Sequence, residues 1–313
     1  MDRLNLETPL AELAEDQSKS DEVDQSKSDE VTVNIHSFFL LPFLILVGIG
    51  ILFGVYILGI TLLTQESRDV YDLLETIKSG RNHDRWRSAF ELSSILTRDP
   101  RIGFDSQFVN KMTSLFQDPI VRQMTTQNGV SLKAYLAQAM GATRNPAFTP
   151  LLLGAIEPNQ SDTVFVVSAI GMIGDSTAVD GILPLLQNPS DTIRLASVIA
   201  LGEIGNVTAI PALQEALKDE EPNVRWDAAV ALTKLNSTSG KAILLDLLRP
   251  DYLAEFESVD INERNRILAV AVRSAGILND SELNEAIDHL IADKNNVNIE
   301  VLKTALEVRD ERR

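Results

Sequence analysis

The chain has 313 residues, a formal net charge of −17 at pH 7 and no cysteine. The lack of cysteine excludes disulfides, thiolate metal sites and cysteine nucleophiles. The acidity argues against a nucleic-acid partner, because neutralising phosphates requires clustered Lys and Arg.

Residues 1–36 are predicted to form a disordered acidic tail. They hold ten acidic and three basic residues, and the octapeptide DQSKSDEV occurs twice in succession, at Asp16–Val23 and Asp24–Val31. A polar segment without aromatic residues cannot bury enough apolar surface to become ordered. The tail is therefore either a solvated spacer or a docking segment for a basic partner.

Residues 37–64 are predicted to form a single transmembrane helix. Phe38–Leu63 are 26 consecutive residues without a charge, and about 20 apolar residues are enough to cross a bilayer core. A buried core helix of this length without a polar face is the less favoured alternative. Gly50 and Gly54 have the small-xxx-small spacing that would permit a homodimer through the span, although glycine is common in such helices in any case.

The basic residues around this segment predict its orientation. Only Lys27 lies close to it on the N-terminal side, whereas the C-terminal side carries Arg68, Lys78, Arg81, Arg85 and Arg87. By the positive-inside rule, the C-terminal domain is expected on the cytoplasmic face. The expected localisation is thus a single-pass membrane protein, with the reservation that long domains can cross regardless of charge.

A juxtamembrane helix is predicted within residues 65–80. In Ser67–Lys78, Ser67 is a suitable N-cap, and Ser79-Gly80 breaks the helix. Four apolar residues would share one face of it: Val70, Leu73, Leu74 and Ile77.

Residues 81–313 are predicted to be a repeat domain, because the sequence is self-similar at a spacing of about 31 residues. Each unit is expected to consist of a first helix, A, and a second helix, B, whose apolar stripes are buried only by stacking against neighbouring units. Glycines near the end of helix A, such as Gly202 and Gly205, would permit a left-handed cap. Three units align directly, at Ser161–Leu186, Ser190–Leu217 and Glu221–Leu248, and one column of the alignment holds Gly141, Gly171, Gly202 and Thr233.

Weaker units extend the array in both directions. They lie at Asp84–Leu96, Leu132–Ile156 and Ile267–Ile291, the last displaced by an acidic insertion at roughly Pro250 to Glu263. The two tryptophans, Trp86 and Trp226, occupy the same slot of the repeat. Packing between helices is the favoured interpretation of this slot, and exposed binding anchors are the alternative.

These motifs resemble the HEAT-repeat family, in the short variety found in phycobiliprotein-lyase-like repeats. The resemblance is carried by Asp191-x-x-Arg194, by the Ala-Leu-Gly-x-Ile-Gly run at Ala200–Gly205, and by Val224–Leu232. It implies an all-α fold, an α-solenoid of helical hairpins, in which the Asp and Arg bridge adjacent units. It also implies partner binding rather than a reaction. Thr163 replaces the Arg in one unit, and the last unit has no clean match.

The sequence offers little chemistry, so we predict no enzymatic activity, no catalytic residue, no metal and no cofactor. None of the three histidines, His36, His83 and His289, is followed by Glu, and no phosphate-binding or serine-hydrolase motif is present. In α-solenoids the B helices commonly line the concave face. Partner-binding residues are therefore predicted at the outward positions of these helices, which could equally be plain solvated positions: Gln187, Gln214, Glu215, Lys218, Asp246 and Arg249.

The sequence thus favours a membrane-anchored scaffold that binds protein partners, namely subunits of a membrane complex. The alternative is a lyase-like or chaperone-like maturation factor for a cofactor-bearing protein. That function would require a nucleophile or an acid that grips a chromophore, and Asp246 is the candidate.

Overall fold

The computed structural model describes residues 51–56, 69–125, 130–249, 251–293 and 297–312. The chain divides into two compact units, Met1–Ser67 and Arg68–Arg313. Within the first unit, residues 51–56 are helical and exposed. No helix in the described ranges combines the length and the apolar character needed to cross a bilayer. The tail, most of the predicted span and Gly50 lie outside those ranges, while Gly54 has open space around it.

The second unit is all-α, as predicted, and its described residues contain no β-strand beyond an isolated bridge between Thr125 and Ser131. Its helices in chain order are α1 (Val70–Ser79), α2 (Asn82–Arg98), α3 (Ser106–Gln117), α4 (Pro119–Gln123), α5 (Leu132–Thr143), α6 (Thr149–Leu153), α7 (Thr163–Ile173), α8 (Val179–Ile182), α9 (Asp191–Ile204), α10 (Ile210–Ala216), α11 (Pro222–Lys234), α12 (Lys241–Leu247), α13 (Ile261–Leu278), α14 (Ser281–Ala292) and α15 (Ile299–Glu311).

The helices form a solenoid with two layers. The A layer consists of α2, α5, α7, α9, α11 and α13, each packed against the next, with α15 beside α13. The B layer consists of short helices, several joined to 3-10 turns, such as α8 with Leu183–Gln187. The three directly aligned units therefore fold as the predicted helical hairpins.

The turn from helix A to helix B has the same construction in successive units. A residue with positive φ ends helix A, and the next side chain accepts a hydrogen bond from the backbone N–H two residues later. Gly205 has φ of 72° and Asn206 accepts from the Thr208 N–H at 3.0 Å. Gly174 and Asp175 repeat this arrangement with φ of 75° and a 3.0 Å bond. The left-handed cap predicted at Gly205 is confirmed.

Gly202 does not have the capping function predicted for it, because it lies inside α9 and not at its end. The glycines of its column have another function. These glycines let adjacent A helices approach closely. A Cβ atom added at Gly171 would lie 2.8 Å from the Ala200 Cα, and one added at Gly202 would lie 2.7 Å from the Ala231 Cβ. The column therefore sets the spacing of the A layer.

Replacing Gly171 with Ala is expected to destabilise the protein by about 1–3 kcal/mol, because the new methyl group would meet the backbone of α9. In an ordinary helix the same change stabilises by roughly 1 kcal/mol. Gly154→Ala is the matched control, since its Cβ would come no closer than 3.4 Å to other atoms. Urea unfolding of both variants checks the prediction, and a stabilised Gly171→Ala variant would contradict it.

Both ends of the array differ in detail from the sequence prediction. Helix α1 begins at Val70 with Asp69 as its N-cap, whereas the predicted cap, Ser67, lies outside the described residues. The predicted apolar face is confirmed, because its leucines and isoleucine are buried in the same core as the repeats. At the other end, α13 begins at Ile261 rather than Ile267, because the Asp260 carboxylate accepts two backbone N–H bonds there.

Candidate partner-binding surface

An arginine near the start of helix A closes the loop that leads into it. Four A helices share this feature, and in each the guanidinium donates to the carbonyl oxygen five residues earlier. The bonds are Arg85 to Gly80 at 2.6 Å, Arg194 to Pro189 at 3.2 Å, Arg225 to Glu220 at 3.0 Å and Arg264 to Val259 at 2.8 Å. The last unit therefore also contains the arginine. The insertion before this unit shifts the residue, so the alignment at the regular spacing does not detect it.

Arg194 also joins two adjacent units, as the resemblance implied, but its acidic partner is Asp219. The guanidinium donates to both Asp219 carboxylate oxygens, at 2.8 and 2.9 Å, and the two side chains are only 8% and 11% exposed. Asp191 instead accepts from the Thr192 backbone N–H. The hydrogen bonds from Arg194 lower the pKa of Asp219 below its usual range.

Lys133 occupies the same repeat slot in an earlier unit. Its buried Nζ donates to the Ala155 carbonyl at 3.1 Å and to the Glu157 carboxylate at 2.9 Å. Thr163 fills the slot in the next unit, and its hydroxyl donates to the Glu157 carbonyl at 2.5 Å. Sequence analysis missed Lys133, although its separation from Thr163 equals that of Gly141 from Gly171. These groups hold units together and are not free to bind partners.

The predicted B-layer residues lie on the surface. Five of the six are exposed and Asp246 is half-buried. They form local pairs: Lys218 with Glu215 at 3.1 Å, and Arg249 with Asp246 at 2.8 Å. Gln214 donates to the Ser239 hydroxyl of the next unit at 2.7 Å. Exposed pairs of this kind contribute only about 0–1 kcal/mol, so a partner could replace them at little cost.

The structure brings three of the six predicted residues together. Gln187, Glu215 and Lys218 border a cavity of about 500 Å³ that also contains Arg194 and Asp219. Gln214, Asp246 and Arg249 do not line it. The buried ion pair thus lies beneath one part of the candidate surface and holds its backbone in place.

The tryptophan slot is confirmed as a packing position. Trp226 is 4% exposed, and its ring meets that of Phe256, from the insertion, with centroids 5.0 Å apart. Trp86 packs edge-on against Tyr135 at 5.5 Å. His83 and His289 are exposed, each with one carboxylate 3.8 Å away, and no cluster suited to a metal ion occurs in the described part of the chain.

The family description "HEAT repeats" matches residues 149–232 and, in a second alignment, 179–257. Residues 149–257 form HEAT repeats. No curated protein matches the chain. This range contains the A helices α7, α9 and α11 and two of the four arginines, Arg194 and Arg225.

Among three similar solved structures, the one with a TM-score above 0.5 supports the same fold. One chain of the complex of CpcE and CpcF of phycocyanin lyase from Nostoc sp. PCC7120 is 19% identical, with a TM-score of 0.52 over 78% of this chain and 94% of that one. Human deoxyhypusine hydroxylase is 15% identical with a TM-score of 0.31 over 78% and 97%. YibA of Escherichia coli is 16% identical with a TM-score of 0.42 over 80% and 96%. Residues 149–257 of this chain thus match HEAT repeats, and its helical-repeat fold is similar to that of the phycocyanin lyase chain.

Proposed function

We propose that this protein is a membrane-anchored scaffold that binds protein partners through the B layer of its HEAT repeats. The observation that carries the proposal is the row of exposed polar side chains on successive units, Gln187, Lys218 and Arg249, which recur at 31-residue spacing. A row with constant spacing suits an extended partner that contacts several units at once.

The rigidity of the array supports this function. Arg194 and Asp219 join two units through a nearly buried ion pair, and Gly171 holds two A helices at backbone contact. A surface that is ordered before binding loses less conformational entropy when a partner arrives. The local pairs on the surface, such as Lys218 with Glu215, can be exchanged for partner groups.

The membrane part of the proposal rests on the uncharged run of 26 residues at Phe38–Leu63. Anchoring would raise the effective concentration of the scaffold near an integral complex without any additional contact. We therefore expect the partner to be a subunit of a membrane complex and the HEAT repeats to face the cytoplasm.

Chemical crosslinking in native membranes, followed by identification of the crosslinked proteins, tests the scaffold function. A stoichiometric protein partner is expected, and it should be lost when Gln187, Lys218 and Arg249 are all replaced by Ala. Lys303→Ala is the control, because this lysine is exposed on α15, away from the row. If the partner is retained in the triple variant, the B layer is not the binding surface.

Fractionation and proteolysis test the anchor. The full chain should sediment with membranes after a carbonate wash, and its C-terminus should resist protease until the cells are permeabilised. Recovery in the aqueous fraction would refute the anchor. Digestion in intact cells would refute the cytoplasmic orientation.

The spacing of Gly50 and Gly54 supports one further prediction. Replacing both with Leu is expected to reduce any association through the span, because bulkier side chains keep helix backbones apart. Crosslinking of the full chain to itself in membranes measures this. Unaltered crosslinking would mean that the glycines have no role in association.

A maturation function is the second candidate, since the fold resembles that of a chain from phycocyanin lyase and the cavity of about 500 Å³ has room for part of a ligand. Asp246, the acid suggested for this function, is paired with Arg249 and lies outside that cavity. A small molecule that co-purifies with the protein and is transferred to an acceptor would favour this function. Recovery of a stoichiometric protein partner without such transfer would favour the scaffold.

A further inference from the structure

A cleft of about 340 Å³ opens in the A layer between α11 and α13. Earlier in the array, each glycine of the column lets the next A helix approach closely. In α11 that position holds Thr233, whose buried hydroxyl donates to the Ala229 carbonyl. The buried core also divides here into two clusters, with Val224 and Leu232 of α11 in one and Trp226 and Ala229 in the other.

The insertion is a second reason for the opening. Asp219 joins two units through Arg194, whereas Arg225, the next arginine in the column, bonds among the described residues to carbonyl oxygens of its own loop. The chain that follows α12 carries Tyr252 and Phe256, which cover one side of Trp226. The cleft therefore lies where the regular register of the repeats is interrupted.

The walls of the cleft are mostly apolar and include three charged side chains. Two neighbouring helices each contribute positions at i, i+3, i+4 and i+7, which places these side chains along one groove. The apolar lining comprises Leu195, Trp226, Val230, Leu247, Ile267 and Val270, and the polar lining comprises Asn223, Asp227, Glu263 and Arg266.

Asp227 is the most unusual residue of the cleft. Its carboxylate is half-buried and has no hydrogen bond or ion pair within the described part of the chain, and burial raises its pKa. Lys234, whose charge acts on Asp227, is already paired with Glu203. Glu263 adds a second carboxylate to the lining, against the single guanidinium of Arg266. A partially desolvated carboxylate without a partner favours a cationic ligand.

We propose that this cleft binds an amphipathic helix of a partner protein, which inserts an aliphatic side chain between α11 and α13 and places a Lys or Arg opposite Asp227. The proposal rests on the scaffold function and adds to it the chemistry of the partner. A groove between two neighbouring helices accommodates a third helix by ridges-into-grooves packing, and its apolar floor provides the contact area.

The natural partner is not needed for a test, because a designed peptide can serve as the probe. The probe is a capped helical peptide of about 15 residues with Leu at i, i+3, i+4 and i+7 and Lys beside them. The full chain is used in mild detergent with Trp86→Phe, which leaves Trp226 as the only tryptophan, because the chain has two. Binding in the cleft is expected to shift the emission of Trp226, and a peptide with Glu in place of Lys should not.

Two variants and one control decide the result. Asp227→Asn should weaken binding about tenfold or more, as loss of a charge-assisted hydrogen bond predicts, and Val270→Phe should fill the groove and abolish the emission shift. Asp180→Asn is the control, because this exposed acid on α8 lies outside the cleft. Absence of binding to the parent chain, equal binding by Asp227→Asn, or an equal loss in Asp180→Asn would each overturn the proposal.

The same variants separate this proposal from the scaffold function. If the native crosslinked partner is retained in Asp227→Asn and Val270→Phe but lost in the triple B-layer variant, the cleft is not the partner's site and the scaffold function stands. If the peptide binds as expected and no protein partner is recovered from membranes, the cleft does bind a cationic amphipathic helix, but the scaffold function fails.

Discussion

Replacing Ala229 with Asp is expected to lower the free energy of unfolding by roughly 3–5 kcal/mol, since an unpaired charge would be buried. Ala229 is fully buried in α11. It also touches the next turn so closely that a Cβ added at Gly240 would lie 2.6 Å from the Ala229 Cα. An aspartate there has no space and would be kept from water, so the units on both sides should lose their packing.

Thermal unfolding followed by circular dichroism measures this effect. The stability of a solenoid is close to a sum of contacts between neighbouring repeats. Loss of the contacts around Ala229 should therefore lower the midpoint of the unfolding transition or broaden it. Ala254→Asp is the matched control, since Ala254 is exposed in the insertion, and its effect should stay within about 0.5 kcal/mol. An unchanged melting curve for Ala229→Asp would contradict the repeat register.

Replacing Asp219 with Asn is expected to cost about 2–3 kcal/mol, because it leaves the buried Arg194 guanidinium without its carboxylate. The remaining acceptors are the Asn188 and Pro189 carbonyls, at 2.9 and 3.2 Å, which moderate the loss. Glu220→Gln is the control, because its carboxylate is 90% exposed and 3.6 Å from the same guanidinium. Urea unfolding should show little change for this control.

The ion pair also predicts a dependence on pH. Arg194 lowers the pKa of Asp219 in the folded protein, so the folded state favours the ionised carboxylate. The contribution of this carboxylate is fully present above its unfolded pKa of about 3.9 and is lost as the pH falls through the lower folded value. The difference in stability between the parent chain and Asp219→Asn should therefore be constant near neutral pH and shrink below about pH 4. If the difference in stability between the two proteins stayed the same in acid, the charge of Asp219 would contribute little to stability.

Much of the architecture could be predicted from the spacing of residues. Apolar residues at helical intervals and the recurrence at about 31 residues indicate hairpins that must share a core, and the structure confirms them over 161–248. Gly205 was interpreted correctly because a left-handed cap is a local property of the backbone. Gly202 was not, because a glycine needed for contact with a neighbouring helix looks the same in the sequence as one needed for a turn.

The candidate sites were harder to predict, and the reason differs between residues. Lys133 lies at the position of the repeated arginine but is a different residue type. Arg264 is an arginine, but the insertion displaces it from the regular spacing. Neither therefore matches the repeat pattern in both residue type and position. Asp227 did leave a signal. It aligns with Ala196 of the preceding unit, 31 residues earlier, and Ala196 is only 6% exposed. A carboxylate at a position that a neighbouring unit buries is the mark of a functional or strained site.

Periodicity and composition were enough to establish an all-α repeat fold and to locate its units, because those features depend on which residues face the core. The partner of Arg194, the close approach at the glycine column and the cleft between α11 and α13 emerged only with the tertiary structure. Each depends on the distance between groups on different units. That distance follows from how whole helices pack, which no local pattern of residues specifies.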